Sequence, residues 1–192
     1  LATYLNDLSI VEEYATTLDL IASTAASSVG DVAGTAGYSV KGGDDGARWL
    51  RTAITGQTPS QSPAQLGNAL LNDGNGNQWA LIFTGRINTR KLGATGDGVT
   101  NDKPAIQAAI NHAQSFSSEN VKVVYSPTGR YYIPDTSGLL AAQNKSFYMV
   151  GDGIDATVFL YDNFFSIAGS GEQFLYTGAS ADGSGSCVLK DF

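Results

Sequence analysis

The sequence predicts a mainly β protein fronted by a helical rod, and three observations carry that expectation. Apolar residues step by three and four through positions 1–29. Asp-Gly and Asn-Gly dipeptides punctuate short alternating runs in the middle. Beyond residue 120, short apolar runs recur at spacings of roughly eight to sixteen residues, with Gly, Asp and Asn between them. The chain has 192 residues, 42% of them hydrophobic and 15% charged. That excludes a disordered acidic chain and leaves room for one or two domains with real cores. The net charge of −7 argues against nucleic acid as a partner, because that role needs a basic patch. One Cys and one His, Cys187 and His112, leave no disulfide framework and no Cys- or His-rich metal centre within one subunit. No metal and no cofactor are expected. No apolar run approaches the ~18 residues of a membrane-spanning helix.

The rod comes first. Leu1, Tyr4, Leu8, Val11, Ala15, Leu18, Ala22, Ala25 and Val29 follow the 3.5-residue period of a left-handed coiled coil. At 1.5 Å per residue a helix over 1–29 would be about 43 Å long. Leu at one core position before Tyr4 and Val11 at the other, with Tyr14 and Ile21 flanking the seam, favours a trimer. A single amphipathic helix packed on its own domain fits the same pattern. Thr16, Thr17, Ser23, Thr24, Ser27 and Ser28 soften its far end. Asp7, Glu12, Glu13, Asp19 and Asp31 precede the first cation, Lys41. Identical helices therefore cannot form salt bridges with one another, so the acidic rod calls for a basic partner or for cations supplied by a neighbouring domain.

Residues 30–85 read as a small Gly-rich β unit. Positions 30–45 form a link with little helical potential. Asp73-Gly74 and Asn75-Gly76 mark a hairpin, Gln78–Phe83 alternates as a strand, and Trp49 and Trp79 are its core anchors.

From residue 86 the chain reads as a strand end, a Gly-rich turn and a helix. Asn101 or Asp102 can cap that helix, Pro104 suits its first turn, and Ile106, Ala109, Ile110 and Ala113 form its apolar stripe. The β runs that follow are VKVVY, RYYI, SFYMV, TVFLY, FFSIA, QFLY and CVLKDF. Their spacing alone allows a sandwich, a barrel or a β-helix.

The stretch LGATGDGVTNDKPAIQAAI, Leu92 to Ile110, resembles the FGAxGDGxTDDTxAIQxAI signature that opens the right-handed parallel β-helix of pectate-lyase-like proteins, above all bacteriophage tailspikes. It departs from that pattern at Leu92, Asn101 and Lys103-Pro104. VVYSPTGRYYI (Val123 to Ile133), MVGDGIDATVFLY (Met149 to Tyr161) and the upstream NGNQWALIFTGRINTRKLGA are similar to further elements of the family, so the resemblance covers about residues 38–192. It implies a right-handed parallel β-helix over 86–192, whose open end is covered by a helix at residues 102–115.

The candidate acids of a glycan-cleaving site are Asp97 with Asp102, Asp44 with Asp45, and Asp152 with Asp155. Each stands beside Gly in a turn or at a helix start, where Asp serves the backbone. Glu172 and Asp182 lie in later loops with nothing to pair them, and a glycosidase needs two carboxylates flanking the bond. Gly96–Gly98 lacks the Lys-Ser/Thr ending of a phosphate loop. Lys91 and Lys103 read as solvated, and His112 as a helix-end cation. Tyr131, Tyr132, Tyr148 and Tyr161 read as ladders in the solenoid wall, with a carbohydrate surface as the alternative. Cys187 is placed in the core. No catalytic residue is expected within 1–192.

The chain opens at Leu1 without a visible signal peptide and stops at CVLKDF without a turn, which reads as a piece of a longer protein. The resemblance then implies the virion-proximal part of a homotrimeric tailspike, with segments 1–29, 30–85 and 86–192. The acidic helix would dock on a tail, baseplate or adaptor protein. The body beyond Phe192 would bind and degrade bacterial capsule or lipopolysaccharide. Two other classes fit: a secreted bacterial polysaccharide-degrading enzyme of the same fold, and a non-enzymatic phage fibre or adaptor.

Overall fold

The computed structural model describes residues 10–39, 41, 45–67, 69–83, 85–115, 122–134, 139–141, 147–161, 175–177 and 187–190. The chain divides into two compact units, Leu1–Phe83 and Thr84–Phe192.

The first unit contains β1 (Ile10–Tyr14), α1 (Thr17–Ala22), β2 (Val32–Thr35), β3 (Ala47–Arg51), β4 (Leu70–Asn72) and β5 (Gln78–Ile82). The strands form one sheet in the order β1-β2-β3-β5-β4. β1 runs parallel to β2, and the other neighbours are antiparallel. The expected rod over 1–29 is therefore not formed across its described residues. Ile10–Tyr14 is extended, because the β-branched and aromatic residues there find a partner strand in β2. Helix starts anew at Thr16, whose hydroxyl accepts the Asp19 N–H at 3.1 Å, and stops at Ser23 after six residues. The burial also departs from the heptads. Leu20 and Ile21 are buried, whereas Leu18, assigned to the seam, is 38% exposed. The segment read as a Gly-rich link holds β2, whose four residues are all buried.

Trp49 and Trp79 are buried as expected. Trp49 pairs with Leu81 and Trp79 with Leu71 across β3, β5 and β4. The Thr17 hydroxyl meets that of Thr35 at 3.2 Å, which seats α1 on the face carrying Thr35, Ala47 and Trp49. The β4–β5 hairpin turns over Asp73–Asn77. The buried Asp73 carboxylate accepts the N–H groups of Asn75 and Asn77 at 2.9 Å, the Asn77 amide at 3.0 Å and the Trp79 indole N–H at 3.0 Å.

The second unit contains β6 (Arg86–Asn88), β7 (Asp97–Asn101), α2 (Lys103–Ser115), β8 (Lys122–Tyr125), β9 (Gly129–Ile133), β10 (Leu139–Ala141), β11 (Phe147–Val150), β12 (Thr157–Tyr161), β13 (Leu175–Thr177) and β14 (Cys187–Lys190). The chain visits three sheets in turn. One has the order β14-β11-β8-β6, the second β12-β9-β7 and the third β10-β13. Every pairing is parallel. The second and third circuits each lay one strand on every sheet, about 4.8 Å from the last. This is a parallel β-helix, which resolves the three architectures that strand spacing left open.

Its interior is a set of in-register stacks. Ile87, Val124 and Met149 lie in one column, all fully buried. Tyr131 pairs with Phe159, their ring centroids 5.5 Å apart. In the first circuit α2 stands in the chain where the second circuit has β10. It packs on β10, β8 and the 3-10 turn Thr89–Leu92, burying Ala105, Ile106, Ala108, Ala109, Ile110 and Ala113. The helix thus covers a strand that would otherwise present a bare edge.

Candidate functional site

Three aspartates shape the turns of the first circuits, and each is held by its own neighbourhood. Asp102 directly precedes α2. Its carbonyl accepts the Ile106 N–H at 3.1 Å, which makes it the N-cap residue by position. Its side chain does other work. The carboxylate accepts the N–H groups of Thr95 (2.6 Å), Gly96 (3.2 Å) and Tyr132 (3.2 Å) and the Thr95 hydroxyl (3.1 Å). One buried carboxylate thereby fastens the turn before β7, the start of α2 and strand β9. Burial pushes its pKa above the ordinary value, against the pull of those donors. The capping bond expected of Asn101 or Asp102 comes from Asn101, whose Oδ1 accepts the Lys103 N–H at 3.1 Å.

Asp97 is exposed. The Thr100 N–H (2.7 Å) and hydroxyl (2.7 Å), with the Val99 N–H (2.9 Å), hold its carboxyl down at about 2. Asp152 accepts the Tyr125 hydroxyl at 2.7 Å and the Thr128 N–H and hydroxyl at 2.7 and 2.9 Å, and these bonds lower its pKa. Asp45 accepts the Tyr38 N–H at 2.9 Å, and Asp155 sits exposed in a turn at φ 65°. Asp97, Asp102 and Asp152 are thus engaged with backbone or hydroxyl donors, in keeping with a structural reading. Asp44, Glu172 and Asp182 lie outside the described residues, as do the side chains of Tyr161 and Cys187. Cys187 pairs in register with Phe147. Among the described residues no group of three or more His, Cys, Asp or Glu could hold a metal ion.

The remaining candidates separate by burial. Tyr131 lies in the interior, its hydroxyl donating to the Pro127 carbonyl at 2.7 Å, while Tyr132 is half-buried and Tyr148 exposed. Lys91 and Lys103, expected in solvent, are half-buried. Lys91 belongs to the 3-10 turn packed under α2, and burial lowers its pKa. His112 is half-buried near the end of α2.

The outer wall carries a cluster that no sequence motif announced. Arg86 on β6 lies over the Tyr125 ring of β8, 5.4 Å from its centroid, and the Tyr125 hydroxyl donates to Asp152 after β11. That bond is the first cause of the raised Tyr125 pKa. Three successive circuits are joined on one polar, aromatic surface beside the exposed Tyr148. Only the register Asn88–Tyr125–Val150 brings these residues together. The surface can stack a sugar ring and bond its hydroxyls, but among the described residues it brings together no pair of acids placed to cleave a glycosidic bond.

Residues 86–187 match the rhamnogalacturonase A/epimerase, pectate lyase-like family, starting at the first residue of β6. The chain belongs to this family. Over 83 aligned residues the chain is 40% identical to mannuronan C5-epimerase AlgE1 and 39% identical to AlgE3, both of Azotobacter vinelandii. Each match covers 41% of this chain and only 6% and 4% of those enzymes. Two solved structures share the fold. The tailspike gp49 of Acinetobacter baumannii bacteriophage Fri1, a capsular polysaccharide depolymerase, aligns over 74% of this chain and 23% of its own with TM-score 0.56 and 16% identity. Pantoea stewartii WceF, a glycan biofilm modifying enzyme with a tailspike-like parallel β-helix, aligns over 96% of this chain and 27% of its own with TM-score 0.58 and 15% identity. The tailspike-like parallel β-helix inferred from the Leu92–Ile110 signature is therefore the observed fold of this family member. No helix among the described residues is long and apolar enough to cross a membrane.

Proposed function

We propose that residues 1–192 form the virion-anchoring N-terminal portion of a homotrimeric phage tailspike, whose body beyond residue 192 binds and degrades a bacterial surface polysaccharide. The observation that carries this reading is the order of parts. A separate β unit precedes a solenoid whose first circuit is closed by α2. Polysaccharide action is supported by the family and by the kind of enzyme it resembles. It is not read from the fold alone, which hosts many activities. The acidic surface of the first unit, with Glu13 and Asp19 exposed, suits a basic docking partner on the tail, and such binding weakens as salt rises.

The identity to bacterial mannuronan epimerases favours a second reading, a bacterial enzyme that remodels uronate polymers outside the cell. Incubating the complete protein with purified capsule or lipopolysaccharide from candidate hosts separates the two. Shortened glycan chains are expected for the tailspike. Chains of unchanged length with altered uronate configuration, seen by NMR, would support the second reading, and binding without any change would leave a non-enzymatic fibre.

A further inference from the structure

The segment between α1 and β2 crosses the first unit as a polar strap. Residues 23–28 have no regular structure, and none of residues 22–30 is buried. Three residues at the tip of the β4–β5 hairpin hold it. The Gly74 N–H donates to the Ser23 carbonyl at 2.8 Å, the Asn75 side-chain amide to the Ala25 carbonyl at 3.0 Å, and the Asn77 amide to the Ser27 hydroxyl at 3.3 Å. Arg51 adds its Nε–H to the same hydroxyl at 3.3 Å. The approach is so close that a Cβ on Gly74 would stand 2.8 Å from the Ser23 carbonyl oxygen. The middle latch is thus the amide of one exposed residue, Asn75.

Asn75 precedes Gly76, and this is the only Asn-Gly in the sequence. Asn is among the thermolabile residues, and a following Gly sets no side chain in the way of its own backbone nitrogen. That nitrogen can attack Asn75 Cγ. A C–N bond forms, the bond from Cγ to the side-chain nitrogen breaks, and ammonia leaves with the proton given up by the Gly76 nitrogen. Water then opens the five-membered imide at one carbonyl or the other, giving Asp or isoaspartate.

We propose that Asn75-Gly76 is a site of spontaneous deamidation whose conversion unlatches the strap from the hairpin. The nitrogen lost as ammonia is the donor that reaches Ala25. A carboxylate in its place has no proton to give and sets acceptor against acceptor. It also adds a negative charge beside the buried Asp73 carboxylate, which accepts the Asn75 N–H. The isoaspartyl product lengthens the backbone by one carbon at a tip that fits closely: a Cβ on Gly76 would stand 2.5 Å from the Gln57 carbonyl oxygen. The fold sets the rate. The Gly76 N–H donates to the Asp73 carbonyl at 2.9 Å, and the Gly76 carbonyl accepts the Gln57 N–H at 2.9 Å, so the nitrogen is released only when the tip opens. Opening is local, because Gly74 and Asn75 stand in solvent. The first unit therefore carries a latch that ages, whatever that unit binds.

The test is to incubate the folded 192-residue chain in mildly alkaline buffer, with a urea-unfolded sample alongside. Conversion at Asn75 is followed by peptide mass spectrometry, and the strap by brief digestion with a protease that cleaves after small residues. Asn75 is expected to convert in the folded chain, more slowly than in urea. The converted chain is expected to be cut within residues 23–29 about 10-fold faster, the effect of losing one hydrogen bond that holds the segment closed. Asn75→Asp is expected to be cut at that faster rate without incubation. Asn75→Gln, with its longer side chain, is expected to show a cleavage rate that does not change with incubation. Should Asn75→Asp fold poorly by circular dichroism, the incubated wild-type chain makes the same comparison. A folded chain whose Asn75 stays intact while the unfolded chain converts would overturn the site. Conversion that leaves cleavage of the strap unchanged would overturn the latch.

Discussion

Asp102 shows how one side chain sets local structure. Four donors from two chain segments, Thr95–Gly96 and Tyr132, converge on a buried carboxylate, so replacing an oxygen with an amide group turns donors toward donors. Asp102→Asn is expected to destabilise the solenoid unit by about 2–3 kcal/mol, the range for buried groups left unpaired, as read by urea unfolding. Asp97 governs the acid response. Its carboxyl lies at about 2 against an ordinary 3.8, so the fold favours the ionised form. The stability it supplies is full above about pH 4 and is lost as pH falls through about 2. Asp152 acts in the same direction. Asp102, with a raised pKa, acts oppositely: its contribution is greatest below the ordinary value and fades as pH rises through the folded one. Melting temperatures between pH 5 and pH 2 are expected to fall more steeply for the wild type than for Asp97→Asn. Equal slopes would remove Asp97 from the account.

Helix α2 is the element on which the solenoid's start depends. Ile106 and Ile110 are fully buried, and truncating either to Ala is expected to cost about 2–5 kcal/mol. The loosened helix would uncover β10, so aggregation on mild heating, followed by light scattering, is the accompanying expectation. A variant that melts early without aggregating would show that α2 stabilises the core without guarding an edge. This helix was legible in the sequence because its signals are local: the stripe Ile106, Ala109, Ile110, Ala113 and the polar residues before it. The same holds for the strands β8, β9, β11 and β12 and for the hairpin around Asp73. The N-terminal rod misled because a three-four alternation contains no information about partners. Ile10–Tyr14 is a strand through pairing with Val32–Thr35, a contact between distant positions, and Thr16 interrupts the helical pattern by starting a new helix. The structural role of Asp97 and Asp152 could be read from Asp beside Gly in a turn. The Arg86–Tyr125–Asp152 cluster could not, since it exists only once the circuits are in register.

For the whole molecule, two units with separate cores predict two unfolding events. Both tryptophans, Trp49 and Trp79, are buried in the first unit, whereas the described solenoid is cored by Tyr131, Phe147 and aliphatic side chains. Tryptophan fluorescence is therefore expected to report the first unit alone, and far-UV circular dichroism to show both transitions. Coincident curves from the two probes would mean that the units unfold as one. The proposed division of labour, with the first unit holding the virion and the solenoid family body acting on glycan, follows the same boundary. Its most direct test is to delete residues 1–83 from the complete protein and measure glycan cleavage and incorporation into phage particles side by side. The account predicts a protein that still shortens the polysaccharide and is absent from the particles. Particles that still carry the truncated protein, or a folded truncation that no longer cleaves, would contradict it.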